Sequence, residues 1–344
     1  MSIAVPLYGF GASGGGTGGT LTVTAPANVT ITVSKDGKTK TKNSGTSGVV
    51  VFKGLSSGMW TVTITGDGKT AQKNVVITTD YSTAISFSTI PEFTYTGDYE
   101  IVNDSDEPIT VSQGNWKIRF LTSGTLTFTN LNGAENGIDV FLVGGGGAGG
   151  QWCNGGSDGS GGNGGYTKTS KGVTVTAGTA YNIVVGAGAA SQTVENANGK
   201  PGGKTSAFGV TVDGGDGGTA WQSEEGRINK GGSGGGSGNS DGNTGGNGGS
   251  DGANGGSAYW SGGTGQGTTT REFGETGKRL YSGGGGGSWN GKGGAGGGAD
   301  AGKSASANTG GGGGGGYNSS EASVTNGGKG GSGIVIIRNA RGAA

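Results

Sequence analysis

The chain has 344 residues, 90 of them glycine and only 29% hydrophobic, against a usual glycine share of about 7%; no single conventional core can span it. Lysine plus arginine and aspartate plus glutamate balance at 23 each, so no global field attracts nucleic acid or an anionic membrane. With no histidine, and Cys153 as the one cysteine, an internal disulfide framework, Cys/His zinc sites and Ser-His-Asp or Cys-His nucleophilic centres are excluded.

Residues 1–19 open with an apolar stretch from Ile3 to Phe10, followed by a Gly/Ser/Thr linker. They read as a tether or docking arm, or as a frayed end. The start carries no basic region and no long apolar run, so synthesis in a cytoplasm is expected. No stretch approaches the roughly 20 apolar residues of a membrane span, and no membrane insertion is expected.

Residues 20–90 place Leu21, Val23, Val29, Ile31, Val33, Val49, Val51, Trp60, Val62, Ile64, Val75, Ile77, Ile85 and Phe87 mostly at spacing two within short runs. That period, with its Thr and Val enrichment, predicts half-buried strands. Asp36-Gly37 and Asp67-Gly68 supply positive-φ turn residues for hairpins. Six or seven strands of this kind predict a small immunoglobulin-like β-sandwich, held by packing alone, with Trp60 as a core anchor.

Pro91 excludes a central strand position, so the boundary is placed there and residues 91–344 are read as one β-rich, glycine-rich domain. It starts with strand-like runs at residues 99–102, 116–121 and 125–128; residues 104–107 read as a solvated acidic loop. From Gly144 the composition changes abruptly. Glycine clusters at 144–150, 155–165, 231–238, 242–256, 283–298, 310–316 and 327–333 are bracketed by Asp139-Val140-Phe141-Leu142-Val143 and Ile334-Val335-Ile336-Ile337-Arg338. Strand-like interruptions fall at 172–185 and 207–212, and helical periodicity is missing throughout.

That much glycine is either a disordered linker or building material. Glycine forms extended helices with three residues per turn and a rise of about 3.1 Å, without internal hydrogen bonds. Bundled, such rods can donate to one another's carbonyls. Apolar bookends and intervening strands favour the second reading: packed polyglycine II rods in a layer, capped by ordinary strands.

Val140-Phe141-Leu142-Val143-Gly144-Gly145-Gly146-Gly147, the later Gly265-Gln266-Gly267-Thr268-Thr269-Thr270-Arg271-Glu272-Phe273-Gly274 and the ending Gly331-Ser332-Gly333-Ile334-Val335-Ile336-Ile337-Arg338 resemble the glycine-rich domain of bacteriophage tail-fibre and minor tail proteins, over about residues 93–344. Phe52-Lys53-Gly54-Leu55 and Trp60-Thr61-Val62-Thr63 resemble modules attached to such proteins. The resemblance implies a virion component, assembled in a host cytoplasm, whose polyglycine II rods hold loops against a host receptor. Its partners would be a bacterial surface glycan or outer protein and other tail proteins, with a trimer as the oligomer to test. The long coiled coil or β-helix of a full fibre is missing, which leaves virion attachment open.

Other motifs weigh less. Residues 297–304 satisfy the G-x-x-x-x-G-K-[ST] pattern, but a phosphate cradle needs a strand before it and a helix after it, and glycine tracts stand on both sides. Asp213-Gly214-Gly215-Asp216-Gly217-Gly218 lacks the sustained nonapeptide of calcium-binding repeats and reads as a tight Asp-Gly turn. Nothing in their spacing selects two of Glu224, Glu225, Glu272 and Glu275 as a glycosidase pair, so no catalysis and no cofactor or metal is expected.

The aromatics Trp152, Tyr166, Trp221, Tyr259, Trp260, Tyr281, Trp289 and Tyr317 sit at or near tract ends. There they either plug the layer or offer flat faces to sugar rings. Trp152, Trp221, Tyr259, Trp260 and Trp289, with polar neighbours, form the candidate receptor-binding set. A purely structural virion part and a polysaccharide depolymerase stay as alternatives.

Overall fold

The structure, a computed structural model, describes residues 18–110, 112, 114–152, 158–220, 230–238, 247–248, 262, 270–287, 290–318 and 324–341. Its backbone divides into two compact units, one ending at Ser88 and the other beginning at Thr89. Both are all-β; among the described residues the only helical turn is a 3-10 turn at Glu272–Gly274.

The first unit contains β1 (Gly19–Thr24), β2 (Thr30–Lys35), β3 (Lys38–Asn43), β4 (Val49–Leu55), β5 (Gly58–Gly66), β6 (Lys69–Ile77) and β7 (Tyr81–Ala84). They form two sheets, β4-β1-β7 and β3-β2-β5-β6, which share one core of Leu21, Val23, Ile31, Val33, Phe52, Trp60, Val62 and Ile64. Both Asp-Gly pairs turn hairpins as their chemistry dictates: φ is 49° and 75° at Asp36 and Gly37, and 49° and 74° at Asp67 and Gly68. Two successive positive φ values match the right-handed twist of the flanking strands. Trp60 is buried, its indole N–H donating to the Ser56 carbonyl at 2.8 Å.

Two expectations change here. An immunoglobulin domain pairs its strands ABED and CFG; here β1 lies between β4 and β7, antiparallel to the first and parallel to the second. In β4 the inward residues are Val50, Phe52 and Leu55, whereas Val49 and Val51 face solvent. A run of four apolar residues leaves the alternation ambiguous, and burying Phe52 settles the phase. Gly54, at φ 67°, then absorbs the extra residue of a bulge and returns Leu55 to the core. Lysines close the sides of the sandwich: Lys42 donates to the Val51 carbonyl at 2.7 Å and Lys73 to that of Ala84 at 3.1 Å, occupying edges that would otherwise invite another strand.

The second unit contains β8 (Glu92–Tyr95), β9 (Tyr99–Val102), β10 (Lys117–Phe120), β11 (Gly124–Asn130), β12 (Ile138–Val143), β13 (Thr167–Val173), β14 (Ala180–Ile183), β15 (Thr205–Ala207), β16 (Val210–Val212), β17 (Lys230–Gly231), β18 (Asn247–Gly248), β19 (Tyr317–Asn318), β20 (Val324–Thr325) and β21 (Ile334–Asn339). The main sheet runs β13-β12-β21-β10-β9, antiparallel throughout, and packs on the sheet β14-β11-β8. The two apolar bookends, β12 and β21, are neighbours in it, in register from Ile138 opposite Asn339 to Val143 opposite Ile334.

Sequence alternation explains how this sheet is covered on both faces. Ile138, Val140, Leu142, Val335 and Ile337 join Trp116, Ile118, Phe120 and Phe128 in the larger core. The alternate residues Phe141, Val143, Ile334 and Ile336 face the other way and pack on Phe273 and Tyr281. The turn between β15 and β16 is made by Phe208 and Gly209, at φ 50° and 76°.

The glycine-rich body continues from the end of β12. Residues 144–151 send their N–H groups to three neighbours in rotation. Gly145, Ala148 and Gln151 donate to Gly203, Lys200 and Ala197; Gly146 and Gly149 to Gly331 and Gly328; Gly147 and Gly150 to Asn163 and Ser160, all at 2.9–3.0 Å. Carbonyls on the same segment accept from Ala189, from Gly215 and Gly218, and from Gly313 and Gly316. Residues 159–166 repeat the pattern: Gly159, Gly162 and Gly165 donate to Gly316, Gly313 and Gly310, and Ser160, Asn163 and Tyr166 to Thr219, Asp216 and Asp213. Each neighbour is met every third residue, and these donors find their partners outside their own segment.

Such contact requires glycine for space. A Cβ added at Gly146 would fall inside the carbonyl of Gly311, and one at Gly312 inside that of Gly162. Asp213 to Gly218 belong to this layer and form no tight turn: none of the four glycines there has positive φ, Gly215 donates to Gly145 and Gly218 to Ala148. The turn expectation fails because backbone partners from distant segments hold this stretch extended. Apart from Asn247–Gly248, the tract at 242–256 lies outside the described residues.

Candidate functional site

One end of the glycine layer abuts the sheets through Gly144, Tyr166 and Gly333. At the other end several segments finish together: Gly150 donates to Ser160 at 2.9 Å, Gly316 to Gly150 at 2.8 Å, Ser160 to Thr219 at 2.9 Å and Gln151 to Ala197 at 3.0 Å. This far end is the candidate site, because Trp152 and the stretch from Gln192 to Asn198 lie there.

Amide side chains hold it together. Buried Gln151 donates through Nε2 to Asn326 Oδ1 at 2.8 Å, and its Oε1 accepts from the Trp152 N–H at 3.2 Å. Gln192 donates through Nε2 to the Asn198 carbonyl at 2.7 Å and pairs through its backbone with Gly327. Asn198 Oδ1 accepts from the Ala220 N–H at 2.8 Å. Where glycine supplies no side chain, the last exposed backbone groups are satisfied by carboxamides, each able to donate and accept.

Trp152 stands at this end, half-buried, its carbonyl accepting from Asn196 N–H at 3.1 Å. Trp221, Tyr259, Trp260 and Trp289 lie outside the described residues; in the chain Trp221 follows Ala220, and Trp289 falls between Gly287 and Asn290. Tyr281 offers no exposed face: it is fully buried against Phe141, ring centroids 5.4 Å apart. The four carboxamides escaped sequence reasoning; Gln151, Asn198 and Asn326 carry a signal as amides beside glycine, whereas Gln192 stands among Ala, Ser and Thr with none.

A second polar group lies on the face of the main sheet opposite the larger core. Lys117 on β10, Arg338 on β21 and Asp139 on β12 share one cross-strand row. Residues 271–281 and the loop at 104–107 supply the counter-charges. Lys117 Nζ is 2.7 Å from Glu272 and 2.5 Å from Asp106. Arg338 is 3.1 Å from Asp139 and 2.5 Å from Glu275, and stacks 4.0 Å over the Phe273 ring.

The hydrogen bond from Arg338 holds the Glu275 carboxyl below its ordinary range. Burial pushes the Tyr281 hydroxyl well above its ordinary value, and the Glu272 charge adds to this. Burial also lifts Asp104, but hydrogen bonds from Arg341 and Asn115 outweigh it and bring that carboxyl below normal. The expected solvated acidic loop is therefore a bonded one: Asp104 pairs with Arg341 at 2.5 Å and Asp106 with Lys117. Local sequence could not show cations that arrive from β10 and from beyond β21. Glu272 and Glu275 are likewise partners of the buried cations Lys117 and Arg338.

The context around residues 297–304 has neither a strand before nor a helix after; instead Gly314 N–H donates to the Lys303 carbonyl at 3.0 Å. Among the described residues, no three His, Cys, Asp or Glu side chains group as metal ligands, and no helix is long and apolar enough to cross a membrane.

The described residues define an all-β protein with a glycine-rich layer hydrogen-bonded between segments. More specifically, the chain belongs to the glycine-rich domain family, whose model matches residues 121–340. No curated protein is similar enough to count as a relative.

Proposed function

We propose that this protein is a bacteriophage tail component that recognises a bacterial surface through connections at the far end of its glycine layer. The observation that carries the reading is the three-residue rotation of backbone donors. It supports packed polyglycine II rods, since such helices have three residues per turn and leave every N–H for a neighbour. Rods packed this way hold their connecting loops on a common rigid end, as an adhesin requires. The first unit, an immunoglobulin-like sandwich in architecture though not in strand order, serves as a spacer module.

Binding is non-covalent. Trp152, with Trp221, Tyr259, Trp260 and Trp289, offers aromatic faces to a surface glycan or outer protein, and neighbouring amides add hydrogen bonds. The same reading places the protein in the virion beside other tail proteins, with a trimer to be tested. Purified full-length protein is expected to bind host cells or envelopes, and a Trp152→Ala/Trp221→Ala/Trp260→Ala variant to lose most of that binding while keeping its circular dichroism spectrum. Unchanged adsorption by a folded variant would overturn the assignment of these aromatics. Antibody labelling that places the protein inside the tail, away from any exposed tip, would replace recognition with a structural role.

A further inference from the structure

Lys117 is nearly sealed from solvent on β10, between two carboxyl groups of different character. Glu272, 2.7 Å from its Nζ, is 1% exposed and has the Tyr281 hydroxyl 3.4 Å from its other oxygen. Asp106, 2.5 Å from Nζ, is 33% exposed and sits at φ 62° in a tight loop, its N–H donating to the Asn103 carbonyl at 3.1 Å. An amine held between a carboxyl open to solvent and a second, sealed carboxyl has the parts needed for amide condensation: nucleophile, acceptor, proton carrier and an exit for water. We propose that the folded chain joins Lys117 Nζ to Asp106 Cγ by an intramolecular amide bond, with Glu272 relaying the proton.

The step balances without a co-reactant. Glu272 takes a proton from the Lys117 ammonium, freeing the nitrogen lone pair. Nζ attacks Asp106 Cγ, the N–C bond forms, and the bond from Cγ to one carboxylate oxygen breaks. That oxygen leaves as water with the two protons the nitrogen has lost, one of them delivered by Glu272, which ends as it began. Ammonium and carboxylate become amide and water. Fixed proximity favours the reaction, since well-oriented intramolecular groups reach effective molarities of about 10⁵–10⁸ M. It also removes a charge pair from a site where desolvation is costly. In a chain with a single cysteine, such a bond would be a covalent brace, tying the loop between β9 and β10 to the main sheet.

The proposal does not depend on the receptor-binding reading. Intact-mass spectrometry of the purified full-length protein, with N-terminal processing accounted for, is expected to fall below the sequence mass by one water. A tryptic digest should yield a branched peptide joining Asp106 to Lys117, with no cleavage after Lys117. Glu272→Gln should restore the full mass. Asp106→Asn, which keeps the acceptor carbon, should lose ammonia in place of water, so the test survives if the first variant does not fold. A folded wild-type protein with its full sequence mass would overturn the proposal. So would a water loss that maps elsewhere, such as to a succinimide at an Asp-Gly pair.

Discussion

The first unit and the glycine layer solve the same problem with opposite means. In the sandwich, Leu21, Ile31, Phe52 and Val62 fill the space between two sheets, and stability comes from apolar side-chain area withdrawn from water. In the layer, Gly146, Gly162 and Gly312 contact the backbones of other segments directly, and the hydrogen-bonded peptide groups are the contact. The difference reverses the usual rule for substitutions: removing atoms damages the first region, adding them damages the second. Buried polar residues serve both regions as backbone partners: Ser44 bonds Val29 and Pro26 in the sandwich, and Asn163 accepts from Gly235 in the layer.

Phe52→Ala removes a 1% exposed ring from the sandwich core and should cost about 3–5 kcal/mol. Calorimetry of the full chain should show the first unit's transition lowered and the second's unmoved; movement of both would show that the two do not unfold independently. Arg338→Met strips a buried cation from Asp139 and Glu275 and should cost the second unit about 3–5 kcal/mol, read by denaturant unfolding.

Gly312→Ala tests the reversed rule directly. Its methyl meets a carbonyl that cannot move alone, so about 1–3 kcal/mol or more is expected. Gly37→Ala makes the same chemical change at a hairpin tip with nothing within 4 Å and φ 75°; there only the left-handed backbone is costly, by about 1–2 kcal/mol. Asparagine separates the two causes: it should be tolerated at Gly37, where positive φ is the constraint, and rejected at Gly312, where space is. Equal tolerance at both sites by thermal melting would refute the close-packing account.

The smallest effect concerns pH. Arg338 holds the folded-state pKa of Glu275 below its ordinary value of 4.5, so the pair's contribution is complete above that value and is lost as pH falls through the lowered pKa. Glu275→Gln should therefore flatten the acid limb of the second unit's stability curve and leave the sandwich's unchanged.

Local rules were legible in the sequence. Period-two alternation placed most of the strands, Asp36-Gly37 and Asp67-Gly68 announced two hairpins, and the missing histidine and single cysteine removed whole classes of chemistry. These properties depend on residues within a few positions of one another, where φ preferences and side-chain alternation act. Tertiary structure decided the rest: that β12 and β21, nearly two hundred residues apart, lie side by side; that Val50 and Phe52 of β4 face inward; that Asp213 to Gly218 run extended; and that Glu272 meets Lys117. The physical reason is degeneracy. One glycine is chemically like the next, so a glycine tract encodes no register of its own. Partners are chosen where long loops close, by the apolar bookends and by the sparse interruptions, Ala148, Gln151 and Asn163, that a close-packed backbone can accommodate.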